Sequence, residues 1–166
     1  MSESTKAQLA HPLVAIDRLE AFIASALVVV GIPADDATEV AKLMAESDAY
    51  GGDAHGIFRL QQYVTQIENG AINATPKIRV INERAGTALL DGDQALGHLV
   101  MKRAAELAIE KARLTGIGWV GTQHSNHAGP AHLYARMPMQ QDMIGLYFCV
   151  WEMPIFCPLG EARRFC

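Results

Sequence analysis

His55, Arg59 and Tyr63 stand four residues apart within Gly51-Gly52-Asp53-Ala54-His55-Gly56-Ile57-Phe58-Arg59-Leu60-Gln61-Gln62-Tyr63. A helix turns about 100° per residue, so a helix running from Gly56 onward stacks these side chains within a wedge of roughly 80°. The stripe joins a group that titrates near neutrality, a permanent cation and a phenol. Such a set suits binding a carboxylate-bearing substrate and moving a proton on it. The same spacing also describes a solvated helix face with a histidine cap, and by spacing alone that is the commoner case. Ile57, Leu60, Val64 and Ile67 form a separate apolar stripe for the core.

A second histidine-bearing stretch, Gln123-His124-Ser125-Asn126-His127-Ala128-Gly129-Pro130, falls where a strand should end and a helix begin. Open α/β sheets present ligand-binding groups at such junctions. Histidine here serves as an acid–base, a metal ligand or a cap. His124, His127 and His132 raise the question of zinc, but no carboxylate or thiolate sits at a spacing that completes a tetrahedral site. One histidine in proton transfer is therefore a better reading than three ligands, and a capping or core role stands equally open. Gly116-Ile117-Gly118-Trp119-Val120-Gly121 matches the dinucleotide fingerprint GxGxxG by letter. That fingerprint needs a strand before it and a helix start within it. Here a helix precedes and a strand runs through, so Gly116 reads as a helix C-cap. Asp91-Gly92-Asp93-Gln94-Ala95-Leu96-Gly97-His98 reads as a tight turn before a helix, with no chemistry assigned to it.

The elements that must carry these groups follow from pattern. Residues 1–14 read as a loose arm. Asp17 caps a helix whose Leu19, Phe22, Ile23, Ala26 and Leu27 share a face and which Gly31 ends. Pro33, Asp35 and Asp36 start a second helix, with Val40, Leu43 and Met44 on its apolar side. The third carries the His-Arg-Tyr stripe and stops at Asn69-Gly70. A strand follows at Lys77–Asn82, with Ile78, Val80 and Asn82 on one side. Thr87–Leu90 is a second, closed by the turn Asp91-Gly92-Asp93. A helix over Gly97–Leu114 has Leu99, Val100, Ala104, Leu107, Ala108 and Lys111 near one face. Ile117–Gln123 reads as a buried strand and Pro130–Gln141 as a helix that Pro138 kinks or shortens. Met143–Val150 reads as a last apolar strand. This order implies an α/β (α+β) chain: residues 15–70 form a helical unit and 71–150 part of a mixed-sheet domain. Residues 151–166 are an ill-fitting tail.

With 166 residues, 50% of them hydrophobic and 19% charged, the chain can bury a core. Its net charge of −4 argues against nucleic-acid binding. No apolar run is long enough to span a bilayer and no signal peptide is visible. Cys149, Cys157 and Cys166 read as reduced thiols of a cytoplasmic protein.

Three motifs taken together, Asp-Ala-His-Gly-(x)2-Arg-Leu-(x)2-Tyr, Leu-Leu-Asp-Gly-Asp-(x)3-Gly and Ser-Asn-His-(x)-Gly-Pro, resemble the second malate/L-lactate dehydrogenase family. That family also holds ureidoglycolate dehydrogenase, 2,3-diketogulonate reductase and the cyclic-imine reductases. The resemblance covers about residues 15–150. It implies NAD or NADP as cofactor, held by a domain that is not a Rossmann fold. It implies hydride transfer on a small 2-hydroxy or 2-oxo acid, or a related imine, and a homodimer. By matched motif, His55 and His127 take the proton-transfer roles, and Arg59 and Tyr63 hold substrate. Cofactor-binding positions are not assigned. The sequence departs from the family pattern at Ala54, where a serine is usual, at Pro138 within a helix, and at the C-terminus. There, Trp151–Gly160 only echoes the family's continuation, so the resemblance implies a truncated member whose activity is in question. The competing readings are a non-catalytic remnant or interaction module of that family, and a small metal enzyme using His124, His127 and His132.

Overall fold

A computed structural model describes residues 13–52 and 54–149. Helix α1 (Ile16–Val29) buries Ile23 and Leu27 completely, one turn apart, and Leu19 and Ala26 pack beside them. Phe22, expected on that face, is 60% exposed. The N-cap is Ala15 without a side-chain bond. Asp17 sits inside the first turn instead, where a carboxylate meets the positive end of the helix. Gly31, at φ 96°, closes the C-terminus, where Ile32 N–H returns to the Leu27 carbonyl. Helix α2 (Ala34–Ala49) follows Pro33, with Asp35 and Asp36 in its first turn and Val40, Leu43 and Met44 buried as expected.

The third helix starts later than its pattern implied. A 3-10 turn spans Ile57–Arg59, and helix α3 runs from Leu60 to Glu68. Gly56 is not helical (φ −92°, ψ −133°). Asp48, at the end of α2, accepts the Ile57 N–H at 2.8 Å, and a Cβ on Gly56 would lie 1.9 Å from that carboxylate. His55 therefore stands in the turn before the helix and is not its first stripe position. Leu60 and Ile67 are buried and Val64 packs against the same core, whereas Ile57 is 37% exposed. Tyr63 is wholly buried in that core, among Ile23, Leu27, Met44, Ile72 and Leu96.

The sheet is mixed. Strands β1 (Arg79–Glu83) and β2 (Thr87–Ala95) pair antiparallel. After helix α4 (Gly97–Thr115), strand β3 (Trp119–Ser125) pairs parallel to β2. A helical layer beside a mixed sheet agrees with the fold expected from the sequence. Three expectations need correction. Asp91-Gly92-Asp93 does not end the second strand: Asp93 and Gln94 take positive φ, the register shifts, and pairing resumes at Ala95 with Ser125. β1 is exposed along its whole length and β3 is only partly covered. Residues 143–149 join no ladder among the described residues, and Ile144, Leu146 and Phe148 are exposed. An apolar alternation makes a strand only where a neighbour offers unpaired backbone groups in register, and this segment contacts β3 through the Trp119 and Phe148 rings. Val150, like the expected arm up to residue 12 and the tail 151–166, lies outside the described residues.

Helix α4 buries Val100, Ala104, Leu107 and Lys111 on the expected face. Gly116 caps it at φ 83°, its N–H on the Ala112 carbonyl. A Cβ on Gly118 would lie 1.9 Å from the Ala108 carbonyl oxygen. The letters of the dinucleotide fingerprint thus serve a tight helix–strand junction. The segment expected as one helix from Pro130 breaks at Arg136 into α5 (His132–Ala135) and a 3-10 turn at Met137–Gln141, whose second residue is Pro138. No helix among the described residues is long and apolar enough to cross a membrane.

Candidate active site

Three segments distant in sequence meet at His127. Tyr63 rises from α3, His55 from the turn after α2, and His127 from the loop after β3. Tyr63 Oη lies 2.6 Å from His127 Nδ1, and His127 Nε2 lies 3.2 Å from His55 Nδ1. The two imidazole planes are within 11° of parallel. Gly129 N–H also points at His127 Nδ1, at 3.3 Å. A backbone N–H only donates, so the network assigns a lone pair to Nδ1 when His127 is neutral. Tyr63 then donates to Nδ1, the His127 proton sits on Nε2, and it donates to His55 Nδ1. The remaining nitrogen of His55, Nε2, stands at the end of this chain.

Local packing explains why the groups hold this place. Ser47 Oγ donates to the Gly52 carbonyl, and His55 N–H returns to the same carbonyl at 2.7 Å. With Asp48 on Ile57, the end of α2 therefore fixes the His55 turn from two sides. Asn126 Nδ2 donates to the Gln94 and Ala95 carbonyls, tying the His127 loop to the end of β2. Tyr134 donates its hydroxyl to the Ala128 carbonyl.

Burial sets the electrostatics. It pushes the His127 imidazole down to about 4, and the positive charge of Arg59, then that of His55, push the same way. Burial raises the Tyr63 phenol above its ordinary value against the pull of Arg59, so the hydroxyl keeps its proton. Arg59 itself is half-buried beside the chain. Its Nε donates to the Ala54 carbonyl at 2.9 Å and its Nη1 to Gln62 at 2.7 Å.

The four residues singled out from sequence thus fall together, but not as a single helix face: Tyr63 is turned inward to His127, and Arg59 flanks them. The three histidines weighed as a zinc set separate. His124 pairs with Asp91 at 3.2 Å, while His132 stands edge-on to Tyr50. Two participants escaped the sequence reading. Asp48 gave no signal beyond its place before a glycine pair. His98 ends a stretch whose letters read as a turn; a histidine on the buried stripe of a helix is its signal.

The sequence profile of the malate/L-lactate dehydrogenase family matches residues 14–166, and the chain belongs to that family. It is 43% identical over 148 residues to a malate dehydrogenase of Pyrococcus horikoshii, covering 89% of this chain and 41% of that protein. To an L-sulfolactate dehydrogenase of Methanocaldococcus jannaschii it is 41% identical over 134 residues, covering 81% of this chain and 39% of that one. The solved structure of the Pyrococcus horikoshii malate dehydrogenase superposes with a TM-score of 0.75 at 45% identity, over 77% of this chain and 37% of that chain. The chain thus spans well under half the length of these relatives.

Proposed function

We propose that this chain carries the acid–base half of an NAD(P)-dependent oxidoreductase acting on a small 2-hydroxy or 2-oxo acid. The observation that supports it is the continuous chain from Tyr63 through His127 to His55, with Arg59 at its side. The named activities of the relatives support the substrate class. When bound, a nicotinamide supplies the hydride. None of the four lines the cavity of about 700 Å3 bounded by Tyr50, Arg113, Arg136 and Met137. Contacts to the cofactor are not assigned, and a homodimer is part of the family expectation.

The protein's share is proton movement and charge. Hydride arrival at the carbon of a 2-oxo acid leaves an alkoxide. The order Tyr63 and Gly129 N–H donating to His127 Nδ1, and His127 Nε2–H donating to His55 Nδ1, leaves the His55 proton on Nε2. His55 gives that proton to the alkoxide and a proton from water replaces it on the same nitrogen, so the ring ends neutral and the order of the row is unchanged. Arg59 offers a planar, permanently charged fork for the substrate carboxylate.

Titration with oxalate, a mimic of the 2-oxo acid, tests the reading. Shifts of the His55 and Arg59 nitrogen signals, together with absorbance loss from NADH or NADPH on adding pyruvate or oxaloacetate, are expected of it. Absence of both responses overturns it.

A second reading is favoured by the apolar side chains around β3. Leu114, Ile117, Trp119, Ile144, Leu146 and Phe148 are all exposed, and a surface of that kind fits a module that docks on another protein. Sedimentation as a monomer without uptake of an apolar dye counts against it.

A further inference from the structure

His98 is a buried imidazole that the acid–base chain does not use. It lies in the first turn of α4 and is 0% exposed, and neither ring nitrogen meets a hydrogen-bonding partner among the described residues. Its ring stands at 81° to the Tyr63 ring, centroids 5.6 Å apart. On another side it meets Gly129: a Cβ there would lie 2.9 Å from His98 Nε2. Gly129 is the residue whose N–H points at His127 Nδ1, and Tyr63 is the residue whose hydroxyl does so. One imidazole therefore braces both donors that converge on a single nitrogen of the acid–base chain.

The chemistry at 98 is a poor choice for packing alone. A buried polar atom without a partner is unfavourable, and an aliphatic side chain of similar volume avoids that loss. Charging the ring offers no relief. His98 sits at the positive end of α4, burial pushes it down to about 3, and the charge of His127 adds to this. The titratable groups that act on it are Tyr63 from α3, ring against ring, and His127 from the loop after β3, and neither is a carboxylate that would stabilise a cation at 98.

Resting on the acid–base chain of the proposed function, we infer that His98 is a positioning residue: its flat, uncharged ring holds Tyr63 and Gly129 against His127 Nδ1 and so sets which His127 nitrogen carries the proton. It touches neither substrate nor cofactor in this role, and it is not a member of the proton path.

Nitrogen-15 spectra of histidine-labelled protein test this. In the unaltered chain at pH 7, His127 shows an unprotonated Nδ1 and a protonated Nε2, and His98 does not titrate down to pH 5. In His98→Leu the melting temperature stays equal or rises, while His127 becomes a mixture of tautomers and its titration midpoint climbs by about one pH unit, since the donors that favour its neutral form are loosened. A His98→Leu protein whose His127 keeps its tautomer and midpoint overturns the inference, whatever its melting temperature. If that variant does not fold, His98→Gln, which keeps polar atoms and loses the flat ring, decides by the same readout. The spectra need neither substrate nor dinucleotide. Their failure leaves the dehydrogenase reading standing, and a failure of that reading appears in the oxalate titration instead.

Discussion

Gly97 and His127 meet backbone to backbone: a Cβ on Gly97 would lie 2.7 Å from the His127 carbonyl carbon and 2.1 Å from the Asn126 oxygen. The start of α4 is thereby wedged under the loop that carries the central imidazole. Neither contact atom belongs to a flexible side chain, so the loop must shift to admit a methyl group. Gly97→Ala is expected to cost about 2 kcal/mol or more in urea unfolding and to displace the His127 nitrogen signals. Retention of wild-type stability and signals would show that the loop yields freely.

Acid should loosen the fold through two histidines. In the folded chain His98 is held down to about 3 and His127 to about 4, against roughly 6.5 when unfolded. Below the unfolded value the unfolded chain binds more protons, so the stability these neutral rings bring is complete above about pH 6.5 and is lost as pH falls through 4 toward 3. His98, fully buried, carries the larger part, on the order of a few kcal/mol; His127, reached by solvent, carries less. Melting temperatures recorded from pH 7 to pH 4 should fall, and His98→Leu should flatten the fall. An equal slope in both proteins refutes this assignment.

Tyr63→Phe keeps the buried ring and removes the donor to His127 Nδ1. Loss of a net hydrogen bond of about 1 kcal/mol is expected. The His127 midpoint should rise, because the hydroxyl favours the neutral imidazole. Nitrogen-15 titration reads the midpoint, and an unchanged value would mean that Gly129 N–H alone fixes His127.

Asp48→Ala removes the carboxylate that caps Ile57. A capping loss of about 1 kcal/mol is expected, together with a weaker contact between the His55 and His127 rings, measured as reduced cross-relaxation. His55 unmoved in this variant would assign its position to Ser47 and Gly52 instead.

Lys111 is nearly buried on α4 and bonds Glu83 at 2.8 Å and the Arg84 carbonyl at 2.7 Å. Glu83 is half in water and can rehydrate, so the loss is mainly of the buried stem and the carbonyl's partner. Lys111→Ala should cost about 1–2 kcal/mol and Lys111→Met less, since Met keeps the stem. Equal losses would place the contribution in the charge.

The helices were legible because their signal is local and repeated. Ile23 with Leu27, Val40 with Met44, and Val100 with Ala104, Leu107 and Lys111 each recur at helical spacing, and all are buried. The histidines and Tyr63 were found by residue type and motif, but the way they join was not legible. Helical spacing implied a row along one face, whereas Asp48 capping Ile57 takes His55 out of the helix and turns the meeting point to His127. The continuation of β2 past Asp91 was hidden by turn-forming residues; Asp93 and Gln94 do take positive φ, yet within a strand that resumes. Residues 143–149 pair with no strand among the described residues, and a segment's own letters do not say whether a neighbour's edge lies in register with it. His98 was invisible as an actor because nothing in a sequence says that two donors will converge beside it.

β1 has a consequence for how the molecule comes apart. All five of its residues are exposed and among the described residues it pairs on one side only, with a register slip between Val80 and Asn82. Its amide protons should therefore trade with deuterium soonest among the strands, while those of β2 and α4, under Leu90, Ala104 and Leu107, persist longest. Opening proceeds from the hairpin margin inward, and the His55–His127 junction, seated on α2 and the start of α4, survives the first breach.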